Sequence, residues 1–291
     1  MYQAFYPSKA LEHFVAFYYV MEKNVANLSS QTPELIMPSG APILGFHYSG
    51  NYKLDYKTRQ VEIKTTLPDF YIAGQQTVSY LLTVSKKHTA IFGIVLKPKA
   101  LWYYYGVDMR TINDKVEKME HVLGNECNAL FKKFKNTKTN VERVSLMEKH
   151  FKNKVKEKNY IPSLIDTALD FIYKKRGCTN LKELIKETGL SERTLQRQFS
   201  VQVGVSPTQY ARLIRFNNLF TEIAKPENTL DISFLTSFYN FHDISHLNKE
   251  FKKYCGESPS DFLIDKFVLL KELIQDQPYL LQIQNTGNQL P

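Results

Sequence analysis

Arg193, Gln196 and Arg197 fall within little more than one turn of a predicted helix, and Ser245, Asn248 and Lys249 repeat that spacing further along the chain. These residue types read DNA. Arg and Lys can donate to guanine O6 and N7, Asn and Gln pair with adenine, and Ser pairs with either. Lys252 and Lys253, just beyond the second set, suit phosphates, which fix register but carry no sequence information.

Each set must be held on a helix whose opposite face is buried. In the first, Leu195 and Phe199 stand four apart and face a core, which turns Arg193, Gln196, Arg197 and Ser200 outward on one stripe. In the second, Leu247 and Phe251 hold the core and Ser245, Asn248 and Lys249 take the outward places. Ser191 and Asp243 are the N-cap residues. Ahead of each lies a short apolar helix pattern and a turn: Leu181, Leu184 and Ile185 before Gly189-Leu190, then Ile232, Leu235 and Thr236 before Asn240-Phe241. The spacing predicts two helix-turn-helix units. They form an internal repeat: Phe199, Gly204, Ser206-Pro207 and Tyr210 are echoed by Phe251, Gly256, Ser258-Pro259 and Phe262. Between the copies Pro207 opens a helix predicted to reach Lys225, before Pro226. A rod of about 30 Å would result. It suits two reading helices set about 34 Å apart, one turn of B-DNA.

Residues 161–263 resemble the DNA-binding domain of the AraC/XylS family of bacterial transcription regulators. The resemblance rests on Leu190-Ser191, Arg193, Leu195, Arg197 and Phe199; on Gly204, Ser206-Pro207 and Tyr210; and on Asn240-Phe241, Asp243, Ser245-His246-Leu247, Lys249 and Phe251 with Gly256 and Ser258-Pro259. Asn240 replaces the family's usual turn Gly, Ile185 and Thr236 stand at its Ala positions, and Leu263 stands where Arg is frequent. The resemblance implies Arg193, Gln196 and Arg197 as base readers of the first motif and Ser245, Asn248 and Lys249 as those of the second.

Net charge is +9, with 38 Lys and Arg against 29 Asp and Glu, which fits a polyanionic partner. The excess lies outside the reader: residues 161–265 hold 13 of each sign, whereas residues 131–158 hold 10 basic and 3 acidic. That basic run reads as a solvated helix face. Three cysteines, Cys127, Cys178 and Cys255, stand far apart, which argues against a disulfide framework or a zinc finger. No signal-peptide pattern and no apolar run of spanning length occurs, so a cytoplasmic protein without membrane contact is expected.

Ahead of the reader, short runs rich in Val, Ile, Tyr and Thr recur between 34 and 96, separated by Pro38-Ser39-Gly40, Ser49-Gly50-Asn51, Leu67-Pro68-Asp69 and Gly74-Gln75-Gln76. They predict a small antiparallel sheet or barrel. Leu11, Phe14, Val15, Tyr18 and Tyr19 predict a helical or mixed start, residues 101–105 a helix, residues 116–134 further helix, residues 142–155 a helix, and residues 152–159 a linker. Through Pro38-Ser39-Gly40, Gly74-Gln75-Gln76 and Leu96-Lys97-Pro98 this part resembles the cupin-like domains that accompany AraC-type readers, where such domains sense ligands or pair subunits. Bulky strand residues favour a filled barrel and pairing over sensing. Trp102-Tyr103-Tyr104-Tyr105 reads as a helix packed on the barrel.

Other chemistries are weaker. His242 and His246 have the i, i+4 spacing of zinc ligands, but Asp243 follows the first as an apparent N-cap and leaves it outside the helix. His13, His47, His88 and His121 are isolated, and no Cys has a His or metal-cluster neighbour, so no catalytic residue, metal or cofactor is expected. The fold expected is α+β: a cupin-like domain over 1–155, an all-α double helix-turn-helix domain over 160–265, and a closing helix with a loose tail over 266–291. The function expected is a sequence-specific transcription regulator with double-stranded DNA as partner. RNA polymerase, a small-molecule effector and a second copy are candidate partners; the rival reading is a protein-interaction module.

Overall fold

The computed structural model describes residues 1–57, 62–125, 127–224, 231–267 and 270–271. Its N-terminal part carries β1 (Tyr2–Phe5), β2 (Val15–Asn24), β3 (Glu34–Ile36), β4 (Ile43–Ser49), β5 (Tyr52–Lys57), β6 (Glu62–Thr66), β7 (Phe70–Ala73), β8 (Tyr80–Val84), β9 (His88–Leu96) and β10 (Val116–Lys118). Two antiparallel sheets form, in the orders β1-β2-β9-β4-β7-β10 and β3-β8-β5-β6. The space between them is filled by Phe17, Tyr52, Leu54, Tyr71, Leu82 and Val95 among others. Tyr71 and Tyr19 lie over Gly45 and Gly93, their cross-strand partners, so closely that a Cβ on either glycine would meet the ring. The outer face of the larger sheet is covered by α1 (Ala100–Tyr105), α2 (Met119–Leu123), α3 (Cys127–Lys135) and α4 (Asn140–Glu157).

Two expectations are corrected, and of the helical or mixed start the mixed alternative holds: β1 is followed by a 3-10 turn, Lys9–Leu11, and β2 then runs through Val15–Asn24. Phe17 and Met21 point into the inter-sheet core, while Tyr18 and Val20 face the helix layer. With both faces apolar the period of two is hidden in the sequence. Residues 116–134 begin as β10, pairing with β7 before α2 and α3 follow. The expected linker from 152 is helical to Glu157, because α4 starts on the Thr139–Glu142 capping box and keeps Met147 and Phe151 buried against the sheet. The aromatic run packs as expected, with Tyr104 buried and Trp102, Tyr103 and Tyr105 against the same core.

The C-terminal part is helical: α5 (Leu164–Lys174), α6 (Leu181–Thr188), α7 (Glu192–Val203), α8 (Pro207–Ile223), α9 (Ile232–Phe238) and α10 (Ile244–Cys255). Their starts are written locally. Ser163 with Asp166, Asn180 with Glu183 and Ser206 with Gln209 form capping boxes, and Pro207 opens α8. Helix α8 holds 17 residues, hence a rod of about 26 Å, shorter than the span expected to Lys225, which lies outside the described residues. The expected closing helix begins only as a 3-10 turn, Ile264–Lys266; most of it, and the tail, fall outside the described residues.

The two parts share packing. Leu35 and Met37, at and beside β3, join Phe216, Phe251 and Cys255 of α8 and α10 in one core. Tyr210 Oη donates to the Gly40 carbonyl at 2.8 Å and lies 2.6 Å from Tyr173 Oη. Lys99, from the sheet domain, pairs with Asp166 and donates to Ser163 Oγ at 2.8 Å, so the N-terminus of α5 is tied to the start of α1.

Candidate nucleic-acid interface

Ser191 caps α7 by accepting from Thr194 N at 3.3 Å, and Asp243 caps α10 by accepting from His246 N at 2.7 Å. The turns between the paired helices need left-handed backbone. Gly189 has φ +68° and Asn240 +53°, and Phe241 N closes α9 on the Thr236 carbonyl at 2.9 Å. Asn adopts that conformation more readily than other side chains, which accounts for its place in the second turn. Leu195, Phe199, Leu247 and Phe251 are each fully buried, and this sets the opposite faces of α7 and α10 toward solvent.

On α7, Arg193, Gln196 and Arg197 are exposed, with Ser200 at the stripe's edge. Gln196 Nε2 donates to Glu192 Oε1 at 3.0 Å, so its amide is already oriented along the helix. On α10, Ser245 and Lys249 are exposed and Asn248 is half-buried. Lys252 continues that stripe. Lys253 leaves it: its ammonium sits over the Tyr254 ring at 4.6 Å and lines a cleft with Arg212, Gln209 and Thr77. At 100° per residue, position 253 is turned about 40° from 249 and away from 252.

The half-buried Arg215 joins α8 to the second unit, stacking over Phe241 at 4.2 Å, donating to the Asn240 carbonyl at 3.4 Å and facing Glu250 at 3.8 Å. It fixes the turn ahead of α10. His246 also faces Glu250, at 3.7 Å, and His242 bonds Asp243 at 2.9 Å; both histidines have their partners within the fold. Among the described residues no group of His, Cys, Asp and Glu could hold a metal ion, and no helix is long and apolar enough to cross a membrane.

Two residues near the stripes escaped the sequence reading. Arg212 is exposed on α8; its place on a rod read only for its length gave no signal. Arg110, on the sheet domain's 3-10 turn Met109–Thr111, lines one cleft with Glu192, Arg193, Gln196, Arg197 and Ser200. Nothing local connects position 110 with 193.

Residues 184–264 match the helix-turn-helix domain family, and residues 3–118 match a domain of unknown function. The AraC-type resemblance of the reader is thereby borne out. No curated protein matches the chain. Among solved structures, the chain is similar to ToxT from Vibrio cholerae O395, with 13% identity, 92% of this chain and 98% of that chain covered, and a TM-score of 0.45. The unsaturated fatty acid-bound ToxT from Vibrio cholerae strain SCE256 gives 15% identity, 84% and 93% coverage and a TM-score of 0.44. The AraC-like transcriptional activator CuxR gives 16% identity, 70% and 74% coverage and a TM-score of 0.24.

Proposed function

We propose that this chain, whose C-terminal part is an AraC-type double helix-turn-helix domain, is a sequence-specific DNA-binding transcription regulator that sets α7 and α10 into successive major grooves. The observation that carries the reading is the pair of solvent-facing polar stripes on two helices of equivalent construction, each held by a buried Leu and Phe. The α8 rod separates them, and a duplex offers its next major groove on the same side about 34 Å on.

Arg193, Gln196 and Arg197 read bases in one groove, and Ser245, Asn248 and Lys249 in the other. Lys252 and Lys253 contact phosphates, Lys253 from the flank of α10. The sheet domain regulates. Its inter-sheet space is filled by aromatic and aliphatic side chains, which favours pairing of two chains over binding of an effector between the sheets. Two chains would present four reading helices and require a longer, repeated site.

Selection of bound duplexes from genomic fragments by the full-length protein tests the function, and sedimentation tests the pairing. A folded protein that enriches no fragment would refute the DNA reading. Enrichment of one site by a protein that sediments as a monomer at every concentration, bound and free, would refute only the pairing.

A further inference from the structure

A reading helix that fills a major groove lies between two walls of phosphates. The groove is about 12 Å wide and a helix with its side chains about 10–12 Å across. An element packed beside the exposed rim of that helix therefore faces phosphate. In this chain such an element exists at α7, and it comes from the other domain.

The 3-10 turn Met109–Thr111 packs against α7 and its C-terminal cap. Met109 is fully buried, and its carbonyl lies 3.1 Å from where a Cβ on Gly204 would sit. The next residue, Arg110, lines an open surface cleft that Arg193 and Arg197 line as well. One carboxylate shares the cleft, Glu192, which is held by the Gln196 amide.

Arg110 is held in place before any ligand arrives. Asp108 caps the turn by accepting from Arg110 N at 3.1 Å and engages Nε at 2.9 and 3.1 Å and Nη2 as well. Among the described contacts Nη1 is left for another acceptor. Thr111 Oγ1 donates to the Asp108 carbonyl at 2.7 Å, and Lys115 Nζ to the Thr111 carbonyl at 2.9 Å. A side chain already ordered loses little freedom when it binds. With Nε and Nη2 taken by Asp108, Nη1 can give a phosphate oxygen one charge-assisted hydrogen bond.

We propose that Arg110 of the sheet domain is a phosphate-contacting residue of the DNA interface, set on the rim of the cleft that the base readers Arg193 and Arg197 also line, where the duplex backbone passes beside the first reading helix. This rests on the DNA-reading function proposed above and extends it: the sheet domain would touch the duplex directly. The opposite geometry, in which the 3-10 turn blocks α7 from its groove, predicts the reverse sign for loss of Arg110.

The test uses the full-length chain, its selected duplex and an unrelated duplex of equal length, with affinity followed by fluorescence anisotropy as salt is varied. Arg110→Ala should weaken binding to both duplexes about two- to tenfold, the scale of one ordinary hydrogen bond lost at an exposed site. It should also lower the slope of log affinity against log salt by about one. Arg110→Lys should retain the slope. Asp108→Asn, which keeps the capping oxygen and removes a negative charge beside the duplex, should tighten binding to both. Affinity unchanged or increased in Arg110→Ala, with wild-type binding intact, would overturn the Arg110 contact and leave the reader standing. A wild-type chain that selects no duplex would instead overturn the reading on which the contact rests.

Discussion

Tyr210→Phe removes one oxygen from the junction between the two domains and leaves the ring in place. That oxygen donates to the Gly40 carbonyl at 2.8 Å and lies 2.6 Å from the hydroxyl of Tyr173. Because Tyr210 gives its proton to Gly40, Tyr173 must be the donor in the pair between hydroxyls. The Phe ring would still pack on Phe199, whose centroid is 5.6 Å away. The loss is therefore polar: a buried carbonyl is left without this donor, at about 1–3 kcal/mol. Tyr173→Phe leaves the Gly40 bond intact and removes only a donor to Tyr210, at about 0.5–1 kcal/mol. The double variant should lose about as much as Tyr210→Phe alone, since the bond between hydroxyls can be removed only once. Urea unfolding followed by far- and near-ultraviolet circular dichroism measures all three. Tyr173→Phe costing as much as Tyr210→Phe, or full additivity in the double variant, would refute this direction of donation.

Gly204→Ala and Gly256→Ala should differ although both glycines cap reading helices at positive φ, +97° and +81°. A Cβ at 204 meets Met109 and Gln75 of the sheet domain at 3.1–3.4 Å, whereas none of the described atoms lies within 4 Å at 256. Gly204→Ala should therefore show the larger fall in unfolding free energy, by about 1 kcal/mol or more, and equal losses would argue against tight docking there. Burial pushes the His47 imidazole below its ordinary pKa, and the Pro68 carbonyl and Asp69 charge only partly restore it. The unfolded chain then takes up a proton near pH 6.5 that the folded chain refuses, so stability present above that pH falls by up to about 1.4 kcal/mol per unit below it. His47→Gln should show a shallower decline between pH 7 and 5, and parallel curves would refute this. Arg197→Ala and Lys249→Ala should each cost about 1–3 kcal/mol and relax preference at separate base positions, while Lys252→Ala and Lys253→Ala should weaken all duplexes alike. Competition assays with single-base variants of the selected site separate the two patterns.

The reader domain was legible because its signals are local. Leu195 and Phe199, or Leu247 and Phe251, identify a buried face from four residues of spacing; Ser191, Asp243 and Pro207 announce helix starts; the echoed Gly and Ser-Pro pairs reveal the doubling. The strand β2 was not legible, because a strand covered on both faces loses the alternation that distinguishes it from a helix. The span of α4 was underestimated for a related reason, as its polar end, rich in Lys, resembles a linker when read without the sheet it packs on.

By itself the sequence determined two helix-turn-helix units, their outward side chains and a β-rich domain ahead of them, since caps, turns and periodicity act over a few residues. Only the tertiary structure decided that Tyr210 reaches Gly40 across 170 positions, that Lys99 meets Asp166, and that Arg110 shares a cleft with Arg193 and Arg197. The echo of Tyr210 by Phe262 shows the difference. Both positions supply an aromatic ring to a helical core, and sequence comparison treats them as equivalent; the hydroxyl that separates them finds its use only at a surface brought there by the other domain. Docking of distant segments depends on the complementarity of two finished surfaces, and no pattern within either segment encodes it.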